Sequence, residues 1–472
     1  MSADKFAASS ASPTSPLPHQ AAADSPVTGL ILTGGGARAA YQVGVLRAIG
    51  RIRAEHEHGR GNPFQVIAGT SAGALNASAL AAGADDFDLA LARLAAVWRG
   101  FHADQVYRTD SIGVIRTGAR WLTMMSIGWV IARWRRQKPR SLLDNTPLEG
   151  LLEQMIPLDR IPAMLEGGHL KALAISASSY SSGEHVTFYQ SAQEVEPWVR
   201  SQRRAVPAPI TMPHLLASSA IPFVFSAQPL LLDQELQWFG DGSMRQVAPI
   251  SPAVHLGAQR VLVIGAGRLQ EPGGGRVIVD QDYPTMAQIA GHAMSSIFLD
   301  ALAVDIERLQ RVNRTLGLLT DEARAQSQLR PIDVLVIAPS QRLDDIAARH
   351  LEALPLPVRA LLRGVGVSGA DAATGARGSA LASYLLFEAD FTRELMALGE
   401  ADAMARKAEV CRFFGWPEPV VWPQPGQGLP PRAAQRRAAS AGDGAAGAAG
   451  AAALAEVAPE LATEVDVAGV AE

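Results

Sequence analysis

Phe64-Gln65-Val66-Ile67-Ala68-Gly69-Thr70-Ser71-Ala72-Gly73 is where this chain shows its architecture. A short apolar run ends in Gly-Thr-Ser-Ala-Gly, and small helix-forming residues, Ala74 to Ala82, follow at once. A strand that turns sharply into a helix around G-x-S-x-G is a nucleophile elbow, which lifts the serine hydroxyl out of the sheet. The helix N-terminus beneath it favours negative charge. Gly69 and Gly73 permit close backbone approaches that a Cβ would obstruct.

Working outward, Val27 to Thr33 reads as an earlier buried strand ending in Gly34-Gly35-Gly36, and Ala37 to Arg53 as a helix with Tyr41, Val45, Leu46 and Ile49 at helical spacing. Asp85 to Trp98 reads as another amphipathic helix. Strands alternating with helices predict a mostly parallel central sheet flanked by helices, a three-layer α/β fold. Further strands are expected at Leu170–Ser176, Val186–Gln190, Leu236–Phe239, Arg260–Gly265 and Val334–Ala338. Helices are expected at Ser141–Ile156, His214–Ser219, Met286–Leu316 and Leu381–Glu409.

The whole sequence sets bounds. Its 472 residues suffice for a large core, and 48% hydrophobic content is globular. A net charge of −4 is too small and mixed to point to nucleic acid. One cysteine, Cys411, excludes an intrachain disulfide and a thiolate metal cluster. The leader, residues 1–26, is rich in Ala, Ser and Pro and lacks the apolar core of a signal peptide. No run reads as a membrane span. The expectation is a cytoplasmic protein, peripheral at a membrane at most.

Four parts are expected: the leader, a catalytic domain over 27–270, a mainly helical C-terminal extension over 271–421, and a low-complexity tail over 422–472. Within the second, residues 111–140 interleave Trp121, Trp129 and Trp134 with Arg133, Arg135 and Arg136. That segment suits either a packed insertion with a solvated basic face or a lid or membrane-facing surface.

Three features converge. In a parallel sheet the C-terminal strand ends share one edge, where ligands bind. The loop Gly34-Gly35-Gly36-Ala37-Arg38-Ala39, the elbow at Ser71, and Asp241-Gly242 at a later strand end can all reach it. Ser71 is then a nucleophile toward an ester carbonyl. Backbone N–H groups around Gly35 and Gly36, with that of Ala72, would receive the oxyanion. Asp241 would take and return the Ser71 proton, and burial would raise its pKa toward that task. The competing Ser-acid-His order has His255, His292 and His350 as nominal partners. The glycine loop alone would also suit a nucleotide, but no acidic residue follows the second strand and no Gly-Lys-Ser/Thr is present.

In order and spacing, these motifs resemble the patatin-like phospholipases. The resemblance rests on Gly34 to Ala39, on Gly69-Thr70-Ser71-Ala72-Gly73 and on Asp241-Gly242-Ser243. It extends to Ala174-Ile175-Ser176 and to Ala217-Ser218-Ser219-Ala220-Ile221-Pro222-Phe223. It covers roughly residues 27–265. Two positions depart: Ala39 where the loop often ends in Gly, and Ser243 where Gly or Ala usually follows Asp-Gly.

The resemblance implies a Ser71–Asp241 dyad with residues 34–39 as oxyanion loop, a lipid or phospholipid substrate, and no metal or organic cofactor. Arg38 has three readings: support of the loop, contact with an anionic headgroup, or solvation. The rival to an active hydrolase is a catalytically weak lipid-binding or regulatory protein on the same fold.

Overall fold

β1 (Thr28–Leu32) and β2 (Val66–Thr70) are buried along their whole length, as strands covered on both faces must be. They pair in parallel, Gly29 opposite Val66 and Leu32 opposite Gly69. α1 (Ala40–Ala54) makes the crossover between them. The computed structural model of the protein describes residues 26–56, 61–109, 141–268, 283–367 and 378–417. All belong to the first of the chain's two units, Met1–Pro419.

The remaining strands are β3 (Ala172–Ser179), β4 (His185–Ser191), β5 (Val199–Arg200), β6 (Arg203–Pro207), β7 (Gln228–Leu232), β8 (Glu235–Asp241), β9 (Arg260–Ile264) and β10 (Asp333–Ile337). Their order is β10-β9-β1-β2-β3-β4-β6-β5, with β8 on β3 and β7 on β8. The block from β10 to β3 is parallel. β4 and β8 both run antiparallel to β3. The fold is the expected α/β one, with helices on both faces of a mostly parallel sheet.

Alternate strand residues sort to the two faces. Leu30, Leu32 and Ile67 face a core shared with α1, α2 (Ala72–Ala82), α3 (Phe87–Arg99) and the helix Ala389–Ala405. Ile31, Val66, Ala68, Val261 and Val263 face a smaller core closed by Ala253, Leu256 and Leu302. The segment after residue 270 therefore supplies both the edge strand β10 and part of each layer.

Several elements differ from expectation, each for a local reason. The helix beginning at Ser141 starts instead at Thr146, because Leu142 and Leu143 donate to the carbonyls of Phe223 and Val224. The expected helix Leu381–Glu409 is three helices, Ser379–Leu385, Ala389–Ala405 and Lys407–Phe414. Glu388 is extended between the first two, where its carboxylate accepts from the Ala103 amide. The expected helix Met286–Leu316 contains a π turn at Ser296–Asp300. That turn sets the Phe298 ring against Gly34 and stacks it on Tyr384, centroids 5.0 Å apart. Met286–Gly317 is long and apolar enough to cross a membrane by length and composition. It lies in the chain between the parallel neighbours β9 and β10 and is buried in part, at Leu302, Asp305 and Leu316 among other positions.

α1 and the helix Ala389–Ala405 approach so closely that a Cβ on Gly44 would overlap the Met396 carbonyl, and one on Gly399 the Tyr41 carbonyl. Neither obstacle is a flexible side chain. Gly44→Val is therefore expected to cost about 3 kcal/mol, the upper range for overpacking. Urea denaturation checks this, and a change below about 1 kcal/mol would contradict so tight a crossing.

Candidate active site

β3 brings the site together. β2 occupies one flank of β3 up to the pair Thr70–Ser176. The next position on that flank, Ala177, pairs with Asp241 of β8. Because β8 runs antiparallel to β3, its end meets the end of β2 head to head. Asp241 thus reaches Ser71 along one strand's flank, and not as another parallel strand end, as expected from the sequence. The Ser71 hydroxyl donates to Asp241 Oδ2 at 2.5 Å.

Ser71 sits at φ 57° and ψ −133°, a conformation costly for a residue with a side chain. Its surroundings hold it there. Ser71 N donates to Ser218 Oγ at 2.9 Å, and Ser218 Oγ donates to the Ser176 carbonyl at 2.7 Å. Ser71 O accepts from Ala74 N at 2.8 Å as α2 begins. A Cβ on Gly69 would overlap the Gly73 carbonyl, and one on Gly73 the Leu32 carbonyl. The elbow needs both glycines for space.

Asp241 is fully buried. Its Oδ1 accepts from Ser243 N at 2.9 Å, and its own N donates to Ala220 O at 3.1 Å. Burial pushes its carboxyl up to about 6, opposed by the hydrogen bonds from Ser71 and Ser243. Gly242 follows without a Cβ, which would strike the Ser176 carbonyl. Gln246 Nε2 donates to Thr70 Oγ1 at 2.7 Å, tying this turn to the end of β2.

The glycine loop closes the third side. Gly34, Gly35, Gly36, Ala37, Arg38 and Ala39 are all buried. A Cβ on Gly34 would overlap Ser243 Oγ, so the loop abuts the turn after Asp241. Gly36, at φ 55°, lies against the Tyr384 carbonyl. Arg38 is locked inside: Nε donates to Ser383 Oγ at 2.7 Å, Nη2 pairs with Asp344, and the guanidinium lies 3.9 Å over the Tyr384 ring. Of its three readings, support of the loop is the one these contacts favour.

Gly36, Ser71 and Ala72 open onto an apolar cavity walled by Leu75, Trp98, Phe101, Ile221, Phe225 and Phe387 among others. A hydroxyl with a raised carboxylate partner, beside an apolar cavity, is equipped for acyl chemistry. Among the described residues no three His, Cys, Asp or Glu side chains converge as metal ligands.

None of the three nominated histidines bonds to Ser71 or Asp241. His255 stacks on Trp198 at 4.5 Å, His350 Nε2 meets Glu394 at 2.6 Å, and His292 is exposed. The histidine near the site is His185 of β4, which the sequence did not single out. It is buried and opposite Ser178, the β3 residue that Gly240 pairs with on the other flank. Desolvation, and then Arg203, lower it to about 4, against a bond with the Gly242 backbone. It is therefore neutral at physiological pH. No spacing rule marks it or Ser218, since both support the turns from neighbouring elements. Residues 111–140 lie outside the described residues.

Several solved structures match this chain over most of its length. VipD from Legionella pneumophila matches over 79% of this chain and 67% of its own, at 14% identity and a TM-score of 0.28. Human GIVD cytosolic phospholipase A2 matches over 83% and 62%, at 12% identity and 0.38. The type III effector ExoU of Pseudomonas aeruginosa matches over 82% and 88%, at 14% identity and 0.25. Scores this low carry no argument about function. No curated protein matches the sequence. A family model does: patatin-like phospholipase, over residues 30–254, a span that holds the glycine loop, the elbow and Asp241. The chain carries a patatin-like phospholipase domain over residues 30–254.

Proposed function

We propose that this protein hydrolyses carboxylic esters of lipids, phospholipids foremost, with Ser71 as nucleophile and Asp241 as base and then acid. The observation that carries the reading is the 2.5 Å hydrogen bond from the Ser71 hydroxyl to a carboxylate buried enough to sit near 6. A base is most useful when its pKa lies near working pH.

The Asp241 carboxylate accepts the Ser71 proton as Oγ bonds to the ester carbon. The carbonyl oxygen takes the negative charge and is met by N–H groups of the glycine loop, Gly35 and Gly36 foremost, and by that of Ala72. The tetrahedral centre collapses, the carbon–oxygen bond to the alcohol breaks, and the leaving oxygen takes the proton from Asp241. Water then gives a proton to Asp241 and adds to the acyl carbon. The bond to Ser71 breaks, Oγ recovers the proton, and a fatty acid leaves. Each good oxyanion donor lowers such a barrier by about 3 kcal/mol. The apolar cavity receives the acyl chain. Arg38, tied to Ser383 and Asp344, acts on the loop and not on the headgroup.

A fluorophosphonate probe should label wild type and fail on Ser71→Ala. Ser71→Ala and Asp241→Asn are each expected to lose about a thousandfold or more in lipid ester hydrolysis, while His255→Ala, His292→Ala and His350→Ala keep it. Product analysis by mass spectrometry checks this. Absence of labelling in the presence of lipid would favour the binding-protein reading. Since the ionised carboxylate is the active form, kcat/KM should fall about tenfold per pH unit below a midpoint of about 6. A flat acid limb down to about pH 5 would remove Asp241 as base.

The same carboxylate predicts a stability effect. Its folded pKa lies above the ordinary value of 3.8, so below that value the group is neutral folded or unfolded and contributes nothing. Above about 6 the folded protein holds an unsolvated charge, costing on the order of 3 kcal/mol. Asp241→Asn lacks this cost. Its stability relative to wild type should therefore rise between about pH 4 and pH 7 in urea titrations. A gap that does not change with pH would show that Asp241 is not desolvated.

A further inference from the structure

Among the described residues, the Asp241 carboxylate accepts two hydrogen bonds of good geometry. Ser71 Oγ donates to Oδ2 at 2.5 Å, and Ser243 N donates to Oδ1 at 2.9 Å. The acyl-enzyme removes the first. Once Ser71 Oγ is bonded to an acyl carbon, it has no proton to donate. Asp241 has by then passed that proton to the leaving alcohol and is a carboxylate again. A fully buried carboxylate is left with one protein donor, and a buried charge short of partners is costly.

Beside it stands an idle donor. Ser243 is 5% exposed, and its Oγ is buried without a hydrogen-bond partner. Buried hydroxyls are seldom left so. The glycine loop encloses it: a Cβ on Gly34 would overlap both Ser243 Oγ and the Phe298 ring. Because the amide of the same residue already holds Oδ1, a rotation about Cα–Cβ brings the hydroxyl toward that oxygen. In the free protein it falls short of a bond but stands close enough to help lower the carboxyl's pKa against burial. Oδ1 has two lone pairs, so it can take the N–H and the O–H of Ser243 together. Gly or Ala, usual after Asp-Gly in the family this chain resembles, has no side-chain hydrogen bond to give.

The other polar groups around the carboxylate are committed elsewhere. Ser218 Oγ donates to the Ser176 carbonyl, and Gln246 Nε2 to Thr70 Oγ1. Arg38 of the glycine loop is held by Ser383 and Asp344. Arg245, in the same turn as Ser243, donates to Gln202 Oε1 at 2.9 Å. Tyr180, which follows β3, donates to Met244 Sδ; burial first, and then the charge of Asp241, push its pKa up. His185 of β4 is neutral and bonded to the Gly242 backbone. Ser178 Oγ is idle too, but it shares its strand position with His185 and Gly240 and has no part in the pKa of Asp241. That pKa follows burial first, and then bonds from Ser71 and Ser243.

We propose that Ser243 is a positioning residue for the second half of the reaction: in the acyl-enzyme its hydroxyl turns to Asp241 Oδ1 and replaces the bond that Ser71 has given up. The proposal rests on the Ser71–Asp241 reading above. With Oδ1 held by both donors of Ser243, Oδ2 stays turned toward the ester and free to take a proton. The attacking water gives that proton to Oδ2 as its oxygen bonds to the acyl carbon. The bond from the acyl carbon to Ser71 Oγ then breaks, Oγ recovers the proton, and the Ser243 hydroxyl is released. Since solvent does not reach Ser243 Oγ, the residue acts through Asp241 and not on the substrate.

The test is rapid-mixing hydrolysis of a short-chain 4-nitrophenyl ester by the full chain. Nitrophenolate leaves readily, so breakdown of the acyl-enzyme limits turnover. Ser243→Ala should slow steady turnover about tenfold, the worth of one hydrogen bond to a charge, while the initial burst of nitrophenolate changes by less than about twofold. kcat and KM should then fall together, and mass spectrometry of the quenched protein should find more acyl group on Ser71 than in wild type. Losing a donor to the charged form raises the carboxyl's pKa. The acid limb of kcat, which reports the acyl-enzyme, should therefore move up by about one pH unit, and that of kcat/KM, which reports the free enzyme, by less. Ser243→Gly should behave alike, since the hydroxyl and not the filled space is what counts. Equal losses in burst and turnover, as a purely structural defect would give, overturn the proposal, and so does no loss in either. If wild type acylates Ser71 and turns over while Ser243→Ala matches it, the hydrolase reading stands and only this proposal falls. If wild type forms no acyl group on Ser71, that reading falls and the proposal with it.

Discussion

The site depends on one contact between strand ends. β2 stops at Thr70 on the flank of β3, and β8 takes over that flank at the next position with Asp241. Two backbone ends meeting head to head leave little room for side chains. That is why Gly242 stands where a Cβ would run into the Ser176 carbonyl and the Thr70 side chain. The confinement is also what desolvates Asp241. A buried carboxylate is tolerated only with hydrogen bonds to its oxygens, and here Ser71 and Ser243 each supply one. The feature that raises the pKa of Asp241 is therefore inseparable from the one that delivers the Ser71 hydroxyl.

The glycine loop depends on a second constraint, from residues beyond the matched span 30–254. Arg38 is buried and would be intolerable without partners. Its partners Ser383 and Asp344, and the Tyr384 ring beneath it, belong to helices near the C-terminal end of the described fold. Phe298 presses on Gly34 from the π turn, and Phe387 walls the cavity. These later residues bear directly on the geometry of a loop at the start of the chain. A family-sized fragment ending at residue 254 would leave Arg38 unpaired, and with it the loop that abuts Ser243.

Much of this was legible in the sequence because it is local. The elbow is a run of adjacent residues, and β1, β2, β9 and β10 are short apolar runs bounded by glycine or polar residues. Asp241 could be nominated from its Asp-Gly pair and the family resemblance. The direction of its strand could not, because nothing in Glu235 to Asp241 says which neighbour it will pair with. The polar supports were hidden for a similar reason. Ser218, His185 and Gln246 act across elements, and each looks locally like an ordinary helix, strand or turn residue. The three-part division of the helices between 379 and 414 was missed because helical periodicity runs through Glu388. The break there comes from a carboxylate drawn to the Ala103 amide, a tertiary contact that no propensity reports.

On the proposed mechanism, a base made from aspartate needs less apparatus than one made from histidine. In a triad the third residue selects the imidazole tautomer and holds the ring in orientation. A carboxylate has no tautomer to select, and its orientation here comes from the backbone: Ser243 N holds Oδ1 while Asp241 N is held by Ala220 O. What aspartate lacks is basicity in water. Burial supplies it, moving the group to about 6 and so closer to the proton affinity of imidazole. The substitution of a dyad for a triad thus transfers the work of the third residue to the packing around β3 and β8. That work cannot be located in any single side chain, which is why it leaves no motif of its own.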